Sequence, residues 1–380
     1  MLPKRVVQIC EAGIKGIYTS GVTNVAAGIE EFLISLGIEC ETVGADNLPY
    51  AKIERGYPST APFLIFSWPT IYLYVKSADL VHVHSLTPLS IFTIWMLSLL
   101  KNRPKIVLTL HTDASAYLRI WGKKGFLTDC KIALINCFTK YCCLHVNRVL
   151  VPSENFRLQI MKEIKFPADF VITPWPAPIA MPELPTVTRE DLLGGGSMKL
   201  DPDSKIVYYF GRVGSEKGID HLIEVFSSLD PSLNIALVLV GGGEIDKYQA
   251  MIPESLKDRV SFFGHRPREY AMALAKHAYL AITCSKTETQ GLTSFELMLM
   301  RLMLLAFGNT CFDEAIIQSG GGMLLPSSKD SWVETIEFLA TSPKAVYGMG
   351  KDAEQYVQEY CTPKARYSAL IKIYNEILSL

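Results

Sequence analysis

Residues 285–306 read SKTETQGLTSFELMLMRLMLLA. The apolar run before them, Ala278–Thr283, has the length and continuity of a strand buried on both faces in a parallel sheet. Leu292–Met300 reads as a helix, apolar nearly all round, and Leu302–Phe307 as the next buried strand. Glu288 then lies in a strand-to-helix loop, and Glu296 lies eight residues on, inside the helix. Gly291 lets the backbone turn sharply at the helix start. The N–H groups of Gln290, Gly291, Leu292 and Thr293 are left open at the carboxyl edge of the sheet. Such an edge with an open helix N-terminus is where a doubly wound sheet takes phosphorylated ligands. On the residues alone, an acid in a loop beside an ordinary helix start is the other reading, because two acids eight apart also recur by chance.

The same logic extends through the C-terminal half. Lys205–Phe210 reads as a strand, followed by Gly211-Arg212-Val213-Gly214-Ser215-Glu216-Lys217-Gly218 and a helix from Ile219 to Leu229. A glycine-bearing loop with one Arg and one Lys at a helix start suits a pyrophosphate: the guanidinium can fork onto two oxygens and the ammonium adds a point charge. A loop with two surface cations is the competing reading. Asn234–Val240 is a strand ending in Gly241-Gly242-Gly243-Glu244, and Arg259–Phe263 a strand ending in Gly264-His265-Arg266. Cys311–Gln318, Trp332–Ala340, Pro343–Tyr360 and Ala365–Leu378 read as closing helices.

The N-terminal half repeats the alternation. Strands are expected at Val6–Cys10, Glu39–Val43, Asp79–His84, Lys105–Leu110, Arg148–Val151 and Asp169–Thr173. Helices are expected at Val22–Leu36, Pro88–Leu100, Phe126–Cys143 and Glu154–Lys165, the last capped by Ser153. Ala45–Ser77 reads as loop-rich. The loop bearing Gly13, Gly16 and Gly21 lacks the G-x-G-x-x-G spacing of a dinucleotide fingerprint. His111, at a strand's carboxyl end, is placed to face a cleft and not the core, although a lone His there is also read as structural; Asp113 and Tyr117 follow it. His82 and His84 are given no role. From Pro174 to Gly196, five prolines and the run Gly194-Gly195-Gly196 stop both helix and strand and mark a domain boundary.

With 380 residues the chain is long for one core and natural for two. It is 49% hydrophobic and 20% charged, as globular chains are, with a net charge of −1. Residues 1–180 hold 18 Lys and Arg against 13 Asp and Glu, so the first half is basic and the second acidic. A basic half suits an anionic membrane or substrate, and equally an ordinary scatter of surface charge. Nothing points to nucleic acid. Lys123, Lys124, Lys131 and Lys140, amid Trp121, Phe126 and Phe138, could form a basic, aromatic surface for phospholipid headgroups, or a solvated helix face. Nine cysteines and no secretory leader are expected of a cytoplasmic protein. The apolar runs Ala61–Val75 and Leu89–Leu100 fall short of the ~18–20 residues of a membrane span. No Cys/His spacing matches a zinc site, and Asp201-Pro202-Asp203 reads as a turn.

The stretch Thr287-Glu288-Thr289-Gln290-Gly291-Leu292-Thr293, with Glu296, resembles the Glu-x7-Glu signature of retaining GT-B glycosyltransferases of family 4, in the form found in diacylglycerol glycosyltransferases. Three further motifs fall in the family's order: Ser20–Thr23, His111–Tyr117 and Gly211–Gly218. The resemblance implies two doubly wound α/β domains facing across a cleft. These are residues 1–175 on the acceptor side, a linker at 176–204, and a nucleotide-sugar domain at 205–362, with the helix at about 363–380 packing back on the first. It implies transfer of a sugar from a UDP- or GDP-linked donor, with no metal and no protein nucleophile. Arg212 and Lys217 would bind the diphosphate, Glu288 the sugar and Glu296 the ribose. Gly21, Gly242, Gln290, Gly291 and Leu292 would line the donor site, His265 and Arg266 the base pocket, and His111 would contact the donor sugar. The chain departs from the family's Ala-x-Gly-x-Pro with Leu299, Arg301 and Met303, and an Arg there needs room beside the sheet. The acceptor is expected to be a membrane lipid such as diacylglycerol, met at the cytoplasmic face of a membrane. A saccharide acceptor, a sugar-nucleotide epimerase and a non-catalytic binding protein are the alternatives on the same fold.

Overall fold

A computed structural model describes residues 2–11, 21–48, 52–54, 57–59, 64–113, 115, 118–119, 125–166, 169–177 and 183–379. The chain divides into two compact units, Met1–Ile179 with Pro363–Leu380, and Ala180–Thr362. Each has its own buried apolar cluster, as expected where a single core has stopped growing and the chain has split.

The first unit is built on a six-stranded parallel sheet. Its strands are β1 (Arg5–Ile9), β2 (Glu39–Val43), β5 (Leu80–His84), β6 (Lys105–Thr109), β7 (Arg148–Val151) and β8 (Phe170–Ile172), in the order β2-β1-β5-β6-β7-β8. A short antiparallel ribbon, β3 (Lys52–Glu54) and β4 (Tyr57–Ser59), lies outside it. In register, Gln8 pairs with Thr42 on one side and His82 on the other, and His84 pairs with Thr109. Side chains alternate faces along a strand, so this register sets a polar file, Thr42, Gln8, His82, His84 and Thr109, across one face of an otherwise apolar sheet.

The second unit's sheet runs β11-β10-β9-β12-β13-β14, all parallel. Here β9 is Lys205–Phe210, β10 Ile235–Val240, β11 Val260–Gly264, β12 Leu280–Ile282, β13 Leu304–Phe307 and β14 Gly322–Leu325. In chain order this is 3-2-1-4-5-6, the doubly wound order, and its reversal falls between β9 and β12. Ligands of such sheets bind outside the carboxyl ends at that reversal. The loops 211–218 and 283–291 leave the sheet there.

Several elements depart from the sequence reading. The stretch read as loop-rich contains the ribbon and the helix Leu64–Val75, which has Pro69 inside it and buries Ser67, Ile71 and Val75 at a four-residue spacing. Packing at that period outweighs the hydrogen bond the proline cannot make. The linker reading over 176–204 fails in its second half, where Arg189–Gly194 is a helix with a Thr188–Asp191 capping box and buried Leu192 and Leu193. The Ser197 N–H donates to the Phe262 carbonyl at 2.8 Å, so this segment belongs to the second unit. The helices Ile245–Met251 and Arg268–Ala275, and strand β14, were not anticipated. The C-terminal helix Pro363–Ser379 belongs to the first unit and sets Tyr367 against Phe32 at 5.3 Å.

Candidate active site

The loops at the sheet reversal of the second unit are held by backbone contacts that tolerate little else. Gly291 caps the helix Leu292–Leu299 at φ 72°, and a Cβ there would run into the Phe312 ring. Gly218 turns at φ 70° into the helix Ile219–Phe226, and a Cβ would strike the Cys284 carbonyl. The glycines expected for tight turns are therefore also points of contact between neighbouring loops. Val213 donates to the Gly242 carbonyl at 2.8 Å, and Gly241 to the Gly264 carbonyl at 2.9 Å, so the loops after β9, β10 and β11 form one surface.

On that surface the charged side chains are matched in pairs. Arg212 meets Glu216 at 2.6 Å, with Arg212 about half exposed and Glu216 buried. Lys217 pairs with Glu288. Arg268 meets Glu296 at 2.7 Å. Burial pushes the Glu296 carboxyl above its usual range, and Arg268 pulls it back. Tyr209 lies under the loop, its hydroxyl donating to the Arg212 carbonyl at 2.7 Å. Burial, then the charges of Glu288 and Glu216, drive its pKa well up, so it stays a donor.

A hollow of about 410 Å³ is lined by Phe210, Gly211, Arg212, Gly241, Gly242, His265, Arg266 and Arg268. Four residues singled out in the sequence, Arg212, Gly242, His265 and Arg266, therefore come together. Glu296 reaches the same place through Arg268. Three guanidinium groups on one small hollow suit a diphosphate, since each can fork onto two oxygens. The two signature acids do not share a partner: Glu288 holds the Lys and Glu296 holds the Arg. Gln290 is buried beside them. Sequence reasoning missed Arg268 and Glu216. Arg268 stands two residues past Arg266, but nothing local ties it to an acid 28 residues on. Glu216 sits inside the Gly211–Gly218 motif and reads there as an ordinary surface acid.

The first unit carries the other expected residues. His111 is only 7% exposed, and the Trp175 ring stacks on its imidazole at 5.4 Å. His111 Nε2 lies 3.0 Å from His84 Nδ1. His84 Nε2 lies 2.8 Å from Gln8 Oε1. His82 lies between the Tyr374 hydroxyl at 2.6 Å and the Thr109 hydroxyl at 2.7 Å. Burial lowers His82 and His111 to about 3 and takes His84 well below the usual imidazole value. Asp113 is buried and accepts from the Ser115 N–H at 2.8 Å and the Gln159 amide at 2.6 Å. Gly21 opens the helix Gly21–Ser35. Tyr117, Trp121, Lys123, Lys124 and residues 12–20 lie outside the described residues.

Lys131 and Lys140 are exposed on the helix Phe126–His145. That helix buries only Thr139, Cys142 and Cys143, while Phe126 is 79% and Leu127 76% exposed. Its neighbour Pro88–Ser98 and the helix Leu64–Val75 also hold large apolar side chains outward, among them Trp95, Phe66 and Leu73. Trp68 meets Phe92 edge-on at 6.1 Å, and the Ser98 and Tyr141 hydroxyls lie 3.1 Å apart, so the three helices lie side by side. Among the described residues, no helix is long and apolar enough to cross a membrane.

Two family models match the chain: Glycosyltransferase Family 4 over residues 19–176, and Glycosyl transferases group 1 over residues 197–356. An alpha-monoglucosyldiacylglycerol synthase of Streptococcus pneumoniae is 26% identical over 271 residues, 70% of this chain and 60% of that protein. An alpha-D-kanosaminyltransferase of Streptomyces kanamyceticus is 26% identical over 179 residues, 46% of each chain. The matches thus span between about half and three-fifths of these relatives, short of two-thirds of either. The structure of a sucrose-phosphate synthase from Thermosynechococcus elongatus superposes with a TM-score of 0.78 over 99% of both chains at 17% identity, which speaks to fold alone.

Proposed function

The chain belongs to the GT-B glycosyltransferases of family 4, with a group 1 domain as its second unit, and from that premise we propose that it transfers a hexose from a nucleoside diphosphate sugar to diacylglycerol at a membrane surface, with retention at the anomeric carbon. The donor half of the reading is carried by the hollow lined by Arg212, Arg266 and Arg268, with Lys217 beside it on Glu288. These cations stabilise the charge that builds on the departing diphosphate, the task a metal ion performs in other transferases. Arg212 and Lys217 hold the diphosphate, Glu288 the sugar and Glu296 with Arg268 the ribose. Attack comes from the face the diphosphate leaves, assisted by that diphosphate, so no protein nucleophile is required.

The acceptor half has two supports. The relative from S. pneumoniae is named for a diacylglycerol glycolipid. The first unit also carries an exposed apolar surface on three adjacent helices, flanked by Lys131 and Lys140, in a basic half of the chain. Exposed apolar area on this scale, bordered by Lys, suits the headgroup layer of an anionic bilayer.

The deciding experiment offers UDP- and GDP-hexoses with diacylglycerol in anionic vesicles and follows release of free nucleoside diphosphate. Release that depends on the lipid supports the reading. Release only with a soluble saccharide acceptor moves the chain to polysaccharide assembly. No release with any acceptor, despite nucleotide binding, leaves an epimerase or a binding protein.

A further inference from the structure

A second hollow, of about 590 Å³, opens in the second unit at the other edge of its sheet. Ala278 and Tyr279 lead into β12 and Leu302 precedes β13, so it lies at the amino ends of these strands. The loops of the candidate active site leave the carboxyl ends. The volume is that of an ordinary small-molecule site. Its floor is hydrocarbon: Leu299, Met300, Leu302 and Val346 are all buried. The Tyr279 ring is fixed beside them by its hydroxyl, which donates to the Leu339 carbonyl at 2.6 Å. Gly350 lets the helix Pro343–Tyr360 close the wall, since a Cβ there would strike the Arg301 carbonyl. On the rim, Arg301 is already matched, by Glu354 at 2.7 Å and the Tyr347 hydroxyl at 3.3 Å. Lys276 is exposed, and among the described residues its ammonium has no partner. Two helix carboxyl ends and one amino end also meet here, and their partial charges largely offset one another. One unmatched cation therefore stands over an apolar floor.

The two helices that end at this hollow carry the Arg268–Glu296 pair, which closes at 2.7 Å. The helix Arg268–Ala275 begins at Arg268 and has Lys276 as its C-cap. The helix Leu292–Leu299 contains Glu296 and has Met300 as its C-cap, whose N–H donates to the Glu296 carbonyl at 3.3 Å. The hollow thus lies about 12 Å from the pair along one helix and one turn, about 5.4 Å, along the other.

We propose that this hollow is an effector site for a small organic anion, whose ring or aliphatic body lies on the apolar floor and whose phosphate or carboxylate meets Lys276, and that its occupancy tightens nucleotide binding. The link to the nucleotide rests on the reading that Glu296 with Arg268 holds the ribose. A ligand in the hollow touches the ends of both helices and holds them in place. The nucleotide then meets a pair whose two supports are already fixed. By linkage the nucleotide must tighten the anion by the same factor.

The test titrates phenyl phosphate into the full chain by calorimetry, with UDP or GDP held at saturation so that the hollow at Arg212 is filled. Phenyl phosphate is expected to bind about tenfold or more tighter than inorganic phosphate, because only the former uses the floor. Lys276→Glu, an exposed change, should weaken it by about tenfold or more. Ala278→Phe fills the hollow and should abolish binding. In wild type, saturating phenyl phosphate should lower the Kd of the nucleotide about fivefold, and Lys276→Glu should lose that effect. No binding, displacement by the nucleotide, equal affinity for inorganic phosphate, or an unchanged Kd in Lys276→Glu each overturns the proposal. Binding that leaves the nucleotide Kd unchanged overturns the effector role. A chain that binds neither UDP nor GDP instead removes the reading beneath the link, and the phenyl phosphate titration of wild type and Lys276→Glu still decides the hollow.

Discussion

At the scale of single residues, the cation pairs set the chemistry. Arg212→Ala and Lys217→Ala are each expected to cut transfer by about a hundredfold, the range seen when one donor to developing charge is removed. Lys217→Ala should keep its melting temperature, because the side chain lies outside the core cluster, whereas Arg212→Ala takes that cation from the buried Glu216 carboxylate and should lower it. Wild-type turnover in both would remove the diphosphate assignment. The signature acids should separate by role. Glu296→Ala leaves Arg268 without its carboxylate and should weaken nucleotide binding in calorimetry, whereas Glu288→Ala should chiefly lower the rate. Arg301 answers the departure from the family pattern. Its backbone is left-handed, at φ 66°, which is why glycine is favoured there. Its side chain finds room by running over the surface to Glu354 at 2.7 Å and across Tyr347, clear of the sheet. Arg301→Gly is expected to raise the melting temperature by about 2–4 °C with transfer unchanged, because relief of left-handed strain outweighs an exposed ion pair.

Among elements, the histidine-bearing strands β5 and β6 make the first unit sensitive to acid. His82 and His111 titrate at about 3 when folded, against 6.5 for an unperturbed imidazole. The unfolded chain therefore binds more protons between those values, so stability is complete above pH 6.5 and is lost as pH falls below it. Each such histidine contributes a slope of up to about 1.4 kcal/mol per pH unit there. The melting temperature of the first unit should thus drop steeply between pH 6.5 and 5, and His82→Phe should flatten the dependence. Equal slopes in wild type and variant would show that His82 is not buried neutral. In the second unit, the helix Leu292–Leu299 depends on its glycine cap. Gly291→Ala combines a left-handed φ with a collision at Phe312 and should abolish transfer while the rest of the unit still melts cooperatively.

For the whole molecule, the two units should respond to different ligands. A nucleoside diphosphate at about a hundredfold excess over its Kd should stabilise the second unit by about 2.7 kcal/mol, and a metal chelator should leave turnover unchanged. Anionic vesicles should bind the first unit. Lys131→Glu with Lys140→Glu should weaken sedimentation by about 1 kcal/mol for each cation lost, and more for reversal. Phe126→Ser with Leu127→Ser should remove the part of binding that survives 1 M salt, where the Debye length is about 3 Å. Neither pair should alter nucleotide binding. If both still sediment like wild type, the three-helix surface is not the membrane face.

The strands and helices around Glu288 and Glu296 could be placed from sequence because hydrophobic periodicity and glycine position are local, and a buried parallel strand can hardly be anything else. The Gly211–Gly218 loop and its cations were legible for the same reason. The helix Leu64–Val75 was not, since Pro69 argues against a helix locally and only packing overrules it. Arg268 on Glu296, Glu216 on Arg212 and the line from Gln8 through His84 to His111 were decided by tertiary structure alone. Arg268 with Glu296 and the histidine line join residues on different elements, and strand register, which no local pattern states, brings Thr42, Gln8 and His82 level with one another, with His84 two residues along the same face. The sequence thus determined which residue types stand at the carboxyl ends of the strands. Their partners and their burial depended on how the sheets were ordered, because those properties belong to neighbours in space and not in chain.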